Sequence, residues 1–403
     1  MKEMFLFKNK KNIYYQLLMF FFYTGSGIYS VTAIWFTYSL TKSPLVVSLI
    51  IVAGYLPSAI AGFTFSKMIS KGDPYKKIQI GSLIMVLSMI LLIFMLVSLS
   101  SNKLISLSII SITQILLSLI KLSNQSSFSL LVKTVFNKEE GKKVIEIASS
   151  NRLVSLSIGA SIAGIILNLG TFYLESIISC FMFFCSILSV LKLNKVTRDP
   201  LFVKLKGEGK ITDRNYKVSF FSDKTLQTLI FFSICSSGTL QYLNAILAPL
   251  ADSIVENKPV YFSLLDVLCM VGGFFAGVLL STEKVKSRFI LDYSFLIIGI
   301  ASILLAFIHS AYGVAILVFI LSLITTAHII CMQVKTNQVP PNEQVSEYAI
   351  FRNASGSIIK TTFSILAGVI TTYFSIQSAW IALSFISILF FVIWKIFTPD
   401  WHS

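Results

Sequence analysis

Long apolar runs dominate this sequence. In windows of roughly 19 residues it contains twelve segments, each long enough to cross a hydrocarbon layer of ~30 Å as a helix. They lie near residues 12 to 40, 45 to 66, 78 to 100, 104 to 132, 145 to 168, 170 to 191, 225 to 249, 259 to 281, 289 to 308, 311 to 335, 347 to 373 and 375 to 397. Because 55% of the residues are hydrophobic and only 13% are charged, the sequence predicts an all-α integral membrane protein. The first run is too long for a signal segment, and we expect it to remain as the first span.

The basic residues are distributed unevenly between the predicted loops. Of the 33 lysines and arginines, 28 fall on the side that holds both termini, whereas Lys42, Lys103 and Lys258 fall on the other side. The positive-inside rule therefore predicts cytoplasmic termini in the cell membrane. A cytoplasmic face resting on anionic lipid explains the net charge of +15 without a nucleic-acid partner.

One long polar stretch, residues 192–224, divides the chain into two similar halves. We expect a six-helix bundle at 1–191, a cytoplasmic loop at 192–224 and a second six-helix bundle at 225–403. The tripeptide VKT, the pattern V-x-E-x-A and an arginine follow in the same order in both halves, with offsets of 202, 201 and 200 residues. Because six spans are an even number, both copies enter the membrane in the same direction, as in transporters whose halves rock around a central site.

Several segments resemble a known family. They are GIYSVTAIWFTYSLTKSPLVVSLIIVAGYLPSAIAG (27 to 62), YKKIQIG (75 to 81), VFNKEE (135 to 140) and VKTNQVPPNEQVSE (334 to 347). They resemble the major facilitator superfamily, and most closely the branch of macrolide efflux permeases and enterobactin-type siderophore exporters. The resemblance implies two pseudo-symmetric bundles, a cavity lined mainly by helices 1, 4, 7 and 10, and alternating access, usually driven by protons.

The sequence departs from the family pattern in two places. Lys67 and Lys71 occupy positions where the loop between helices 2 and 3 would carry Gly and Asp, and GSGIYS (25 to 30) in helix 1 lacks the acid that the branch often has. Both departures argue against a conventional latch and a conventional proton site in helix 1. The candidates for gating are Lys76, Lys77, Arg152 and Arg352. For the two arginines, a structural or lipid-headgroup contact is the favoured interpretation, and gating is the alternative.

Two lysines lie deep within predicted spans. Lys121 is too far from the cytoplasmic end of helix 4 to reach it, so it needs a wet cavity or an acidic partner. It shares a polar face with Gln114 and Gln125, and Asn124 lies beside them. Lys360 lies two turns along helix 11 from Arg352. Contact with a substrate or ion, and a charge pair between helices, both remain open for the two lysines.

Asp266 is the one acid that the sequence places well inside a span. A carboxyl that is removed from water and has no cation beside it can bind and release a proton near neutral pH, whereas a lysine beside it would keep it ionised. Asp266 is therefore either a proton-coupling residue or a partner of Lys121 or Lys360. Glu175 is expected near the outer surface, in contact with solvent.

Smaller polar residues complete the predicted cavity. The remaining candidates for substrate contact are Tyr23, Ser30, Gln241, Asn244 and His328. For His328, an interior histidine that binds nothing is the favoured interpretation. No nucleotide-binding loop, nucleophile with its base, disulfide framework or metal-ligand cluster is visible, so we expect neither an enzyme nor a cofactor.

Two lysines against one acid make the predicted cavity net positive, which suits an anionic solute. The sequence thus favours a monomeric, proton-coupled exporter of a small organic anion such as a metallophore or siderophore. A macrolide-like drug permease is one alternative. A sensor or immunity protein of the same form, which transports nothing, is another. An importer or a lipid flippase of similar fold is also open, because these residues do not indicate the direction of transport.

Overall fold

The chain is helical through nearly all of the part that the structure describes. This computed structural model describes residues 9–65, 69, 72–98, 103–136, 138–169, 172–197, 224–256, 258–281, 286–338 and 345–397. The helices are α1 (Lys10–Thr41), α2 (Pro44–Ala53 and Leu56–Thr64), α3 (Pro74–Ser98), α4 (Lys103–Val135), α5 (Lys138–Asn168), α6 (Phe172–Thr197), α7 (Lys224–Ile254), α8 (Pro259–Ser281), α9 (Ser287–Phe307), α10 (Ala311–Gln338), α11 (Val345–Tyr373) and α12 (Ile376–Phe397). Twelve stretches of these helices are long and apolar enough to span a membrane, which confirms the predicted span count. Most of the predicted central loop, residues 198–223, lies outside the described residues.

Helix α2 is broken in the middle, in contrast to the other spans as far as the structure describes them. Its first segment begins with Ser43, whose Oγ accepts a hydrogen bond from the backbone N–H of Val46, and with Pro44. The backbone N–H groups of Gly54 and Tyr55 then bond to carbonyls only three residues back, which tightens the last turn. The second segment restarts with Pro57, which has no N–H to continue the ladder. The break leaves Tyr55 halfway along the span.

The helices form two bundles of six. Most helices pack chiefly within their own bundle, whereas α2 packs chiefly on α11 of the other bundle and α5 also packs on α8. Within the first bundle α1 and α5 approach very closely, since a Cβ added at Gly159 would collide with the backbone of α1. Small residues at such contacts are the usual way in which helices associate in lipid, where close packing replaces the hydrophobic effect.

Contacts between the bundles run along two helix pairs, α2 with α11 and α5 with α8, and they include an ion pair at one end, which we call the outer end after the orientation predicted above. It is the end that carries Lys42 and Lys258. Here Lys42 Nζ lies 3.2 Å from Asp252 Oδ2, and the ring of Trp35 in α1 stacks on Phe262 in α8 with centroids 5.7 Å apart.

Two further contacts join the bundles at this end. The backbone N–H of Leu45 donates to Thr372 Oγ1 in α11 over 3.1 Å. Gly164 in α5 faces Ser263 in α8 so closely that a Cβ there would have no room. In the described residues, by contrast, α4 and α10 have packed interfaces only with helices of their own bundle. The bundles are therefore joined at the outer end and apart around α4 and α10.

Candidate functional site

Lys121 in the first bundle and Lys360 in the second both lie near Arg152, whose side chain is exposed. Lys121 is 14 residues, or roughly 21 Å, from the inner end of α4 at Val135. The charge of Arg152 in α5 is close enough to interact with that of Lys121 and with that of Lys360 in α11. Like charges repel, so this arrangement is unfavourable unless water or an anion lies among them. We call Lys121, Arg152 and Lys360 the cationic cluster.

Tyrosine rings lie beside two of the three cations. The guanidinium of Arg152 lies 6.0 Å from the ring centroid of Tyr23 in α1. The same ring is 6.4 Å from Phe128, which is two turns beyond Lys121 on the same face of α4. Lys360 Nζ lies 5.2 Å from the ring centroid of Tyr55, at the break of α2. Cations over aromatic faces are stabilised without being neutralised, so the cluster keeps its positive charge.

Asp266 lies at the edge of this cluster. It is partly buried in α8 and lies within electrostatic range of Tyr55. In the described part of the chain, neither Asp266 nor either of the two lysines forms an ion pair. The proposed charge pair of Asp266 with Lys121 or Lys360 is therefore not formed in this conformation.

The polar residues that the sequence predicts beside Lys121 have different surroundings in the structure. Gln114 lies against the break in α2, since a Cβ added at Gly54 would be 2.8 Å from its Nε2. Asn124 is 1% exposed and lies beside Gly81 of α3, with both atoms of its amide unpaired. It therefore belongs to the interface between α3 and α4 instead of the predicted cavity. Gln125 is exposed.

The candidate substrate contacts on α1, α7 and α10 also differ in burial. Ser30 and Asn244 are partly buried, and Gln241 is almost fully buried at 4% exposure. His328 is a correction to the predicted substrate contacts. Its Nδ1 is 2.6 Å from Ser236 Oγ, and its ring centroid lies 4.7 Å from that of Phe295 in α9. With 0% exposure it is an interior histidine of the second bundle.

The four gating candidates have different surroundings. Lys77 Nζ donates to the carbonyl of Ile69 over 2.6 Å, so it holds the loop between α2 and α3 and not the opposite bundle. Lys76 is exposed at the start of α3. Arg152 belongs to the cationic cluster. Neither of the two expectations for this residue, gating and a lipid-headgroup contact, predicted that position. Arg352 lies in α11, and its side chain is outside the described part, as are Lys67 and Lys71 altogether.

Two acids differ from the sequence-based expectation. Glu175 in the first turn of α6 is 0% exposed with both carboxyl oxygens unpaired, so it is not solvated as expected. Asp292 in α9 is a second intramembrane acid that the sequence analysis missed, because it stood near the edge of the predicted span. Its Oδ1 accepts a hydrogen bond from Trp394 Nε1 over 3.1 Å and lies 3.6 Å from Lys395 Nζ.

Comparisons with known proteins agree with this architecture. The family model described as Major Facilitator Superfamily matches residues 17–359. No curated protein sequence matches the chain.

Solved structures share its fold at low sequence identity. A bacterial homologue of the human lysosomal transporter Spinster, in an inward-facing and occupied conformation, has a TM-score of 0.73 at 12% identity, over 96% of each chain. The nucleoside transporter NupG has a TM-score of 0.70 at 13% identity, over 96% of this chain and 98% of its own. The xylose transporter XylE from E. coli, in an inward open conformation, has a TM-score of 0.66 at 11% identity, over 97% of each chain. At these identities the likeness shows the fold alone. Because the family model covers most of the sequence and the twelve helices form two bundles of six, the chain belongs to the Major Facilitator Superfamily of membrane transporters.

Proposed function

We propose that this protein exports a small organic anion across the cytoplasmic membrane by alternating access, coupled to protons. The observation that carries the proposal is the cationic cluster of Lys121, Arg152 and Lys360, in which neither lysine has an acidic partner among the described residues. Charges at this depth cost several kcal/mol unless water or a counter-charge compensates them. A carboxylate- or phenolate-bearing solute supplies that counter-charge.

The contacts between the bundles support alternating access. The contacts at the outer end, and the lack of packed inter-bundle interfaces at α4 and α10 among the described residues, support a carrier that is closed outside and open toward the cytoplasm. This orientation rests on the predicted cytoplasmic termini. An exporter takes up its cargo in this state, and the cluster lies where the two bundles can both contact the cargo.

Asp266 is the proposed site of proton coupling. Asp266 lies near Tyr55, and Tyr55 lies beside Lys360. The charge of Asp266 and the charge of an anion bound at Lys360 therefore both act on the contact between Lys360 and Tyr55. In the proposed cycle, Asp266 takes up a proton outside only after the anion has left and loses it inside before the next anion binds, so that one proton moves inward for each anion moved outward. One charge crossing 100 mV supplies ~2.3 kcal/mol, and the pH gradient adds to this.

A metallophore or siderophore is the cargo that we favour, because such chelators carry several acidic groups. The resemblance to the branch that contains siderophore exporters supports the same choice, while the macrolide permeases in that branch supply the rival.

The test compares the culture medium of a deletion strain with that of its parent under metal starvation. We expect a secreted chelator to disappear from the medium and to accumulate in the cells. Complementation with the wild-type gene should restore secretion, whereas Lys121→Met expressed at the same level should not. Unchanged medium together with altered macrolide sensitivity would overturn the proposal in favour of the drug permease.

A further inference from the structure

We propose that a crevice between α2 and α4 binds one acyl chain of an anionic phospholipid from the cytoplasmic leaflet. The crevice has a volume of about 540 Å³, and both of its walls belong to the first bundle. It is lined by the inner segment of α2, the loop that follows and one residue of α4, which are Leu56, Pro57, Ile60, Ala61, Phe65, Ile69 and Leu119.

The crevice opens toward the bilayer. All of its lining side chains are apolar, and Leu56, Ile60 and Phe65 are exposed. Leu119 is two residues from Lys121, which places the two side chains on nearly opposite sides of α4. The crevice therefore faces away from the cationic cluster. A lipid chain is the chemistry that fits these walls, because it needs no hydrogen bonds.

The length of the crevice matches one leaflet. Its α2 wall runs from Leu56, beside the helix break in the middle of the span, to Phe65 at the inner end. At 1.5 Å per residue this wall is about 14 Å long, and half of a hydrocarbon core of ~30 Å is about 15 Å. A chain whose head group lies at the cytoplasmic surface thus reaches the break in α2.

A cation lies at the inner end of the crevice. Lys77 Nζ donates to the carbonyl of Ile69, the lining residue in the loop, over 2.6 Å. An ammonium has three donors, so this bond leaves others for a lipid phosphate. Lys76 beside it is exposed, and neither lysine forms an ion pair with a described residue. The nearby acid, Asp73, accepts a hydrogen bond from the backbone N–H of Tyr75 over 3.0 Å.

The sequence around this end selects for a negative head group. Residues 66–77, SKMISKGDPYKK, carry four lysines and one aspartate. Basic residues at the cytoplasmic end of a span attract anionic lipid, whereas a zwitterionic head group carries its own cation and gains less. An anionic phospholipid is therefore the occupant that suits both the apolar walls and the charged end of the crevice.

The experiment measures the affinity of delipidated protein in detergent for single phospholipids by native mass spectrometry. We expect the first dioleoyl phosphatidylglycerol to bind about tenfold more tightly than dioleoyl phosphatidylcholine. The double variant with Lys76→Gln and Lys77→Gln should bind the two lipids alike. Lys10→Gln, the matched control, removes an exposed lysine at the inner end of α1 and should keep the preference.

A second pair of variants tests the crevice itself. Ala61→Phe fills it with a ring and should weaken binding of phosphatidylglycerol about tenfold. Ser161→Phe fills an apolar cleft between α5 and α8, whose lining contains no lysine, and should leave that affinity unchanged. Should Ala61→Phe not fold, Ala61→Leu fills part of the crevice and should weaken binding about threefold. Should the double lysine variant not fold, Lys76→Gln alone should lower the preference about threefold.

Three results would overturn the proposal. Equal affinity of the wild-type protein for the two lipids would remove the head-group site. Unchanged binding by a folded Ala61→Phe or Ala61→Leu protein would show that the chain lies elsewhere. A loss of preference in Lys10→Gln as large as in the double variant would mean that the whole cytoplasmic face attracts anionic lipid without a site at this crevice.

Discussion

Two aspartates lie in membrane-spanning helices of the same bundle, and their surroundings are opposite. Asp292 in α9 accepts a hydrogen bond from Trp394 and has Lys395 and Arg288 within 3.6 and 3.9 Å. Asp266 in α8 has no hydrogen-bond or ion-pair partner in the part of the chain that is described. A carboxylate whose partners come from its own bundle stabilises that bundle. A carboxylate without such partners is available to bind a proton or a ligand.

The lysines show the same contrast. Lys42 pairs with Asp252 across the outer end, whereas Lys121 and Lys360 form no ion pair with any described residue, and Lys360 lies over the ring of Tyr55. The composition of a span thus says little about the role of a charge within it. Replacing a partnered charge should change stability or conformation, and replacing an unpartnered one should change transport.

The largest expected effect is that of Asp266→Asn on proton-driven accumulation. The amide cannot carry a proton through the cycle, so we expect accumulation against a gradient to be lost. Exchange of labelled for unlabelled substrate, which needs no net proton movement, should persist. The matched control, Asp292→Asn, should still accumulate substrate. Accumulation by a folded Asp266→Asn protein would remove this residue from coupling.

The next effect is that of the two lysines on affinity for an anion. Each of Lys121→Met and Lys360→Met should weaken binding of an anionic ligand about tenfold, or about 1.4 kcal/mol, and the double variant should do so by about a hundredfold. Lys395→Met, next to Asp292, should leave the affinity unchanged. Equilibrium binding in detergent or nanodiscs measures all four. Equal losses in Lys395→Met would erase the distinction between partnered and unpartnered lysines.

The stability of the folded protein should depend more on Asp292 than on Asp266, the opposite of the order expected for transport. Asp292→Asn loses a charged acceptor that faces Trp394, Lys395 and Arg288, and we expect the free energy of unfolding to fall by about 2 kcal/mol. Asp266→Asn removes a charge without such partners and should leave the melting temperature unchanged or raise it. Thermal unfolding in one detergent compares the two. A greater loss in Asp266→Asn would show that its carboxylate has a structural role.

The smallest effect belongs to the ion pair at the outer end. The Lys42 side chain is 49% exposed, so the pair with Asp252 contributes about 0.5 kcal/mol. Lys42→Gln should therefore shift the balance toward the outward-open state about twofold. Distance distributions between labels on the outer ends of the bundles measure this shift. An unchanged distribution would mean that the contacts of Trp35 and Gly164 alone keep this end closed.

The sequence was sufficient to predict features that depend on one helix at a time. Apolar length alone gives the twelve spans, as observed, and the helical period places Lys121 and Phe128 on one face of α4. The position of Lys360 also follows from counting along α11.

Features that depend on how helices face one another could not be predicted in the same way. Asn124 is only three residues from Lys121, yet it lies beside Gly81 of α3, because the rotation of α4 is set by its neighbours. Arg152 belongs to the cluster because α5 packs on α1, which brings the guanidinium of Arg152 over the ring of Tyr23. The position of Tyr55 at a helix break could have been predicted from the sequence, because Tyr55 lies between Gly54 and Pro57. A glycine and a proline so close together favour a break within a span.

The central claim is that the cationic cluster binds anions, and charge selectivity tests it most directly. Benzenesulfonate and methyl phenyl sulfone have nearly the same shape and differ in charge. The wild-type protein should bind benzenesulfonate at least about tenfold more tightly than the sulfone, and the variant with Lys121→Met and Lys360→Met should bind the two alike. Equal affinity in the wild-type protein, or a preference that survives in the double variant, would contradict the account.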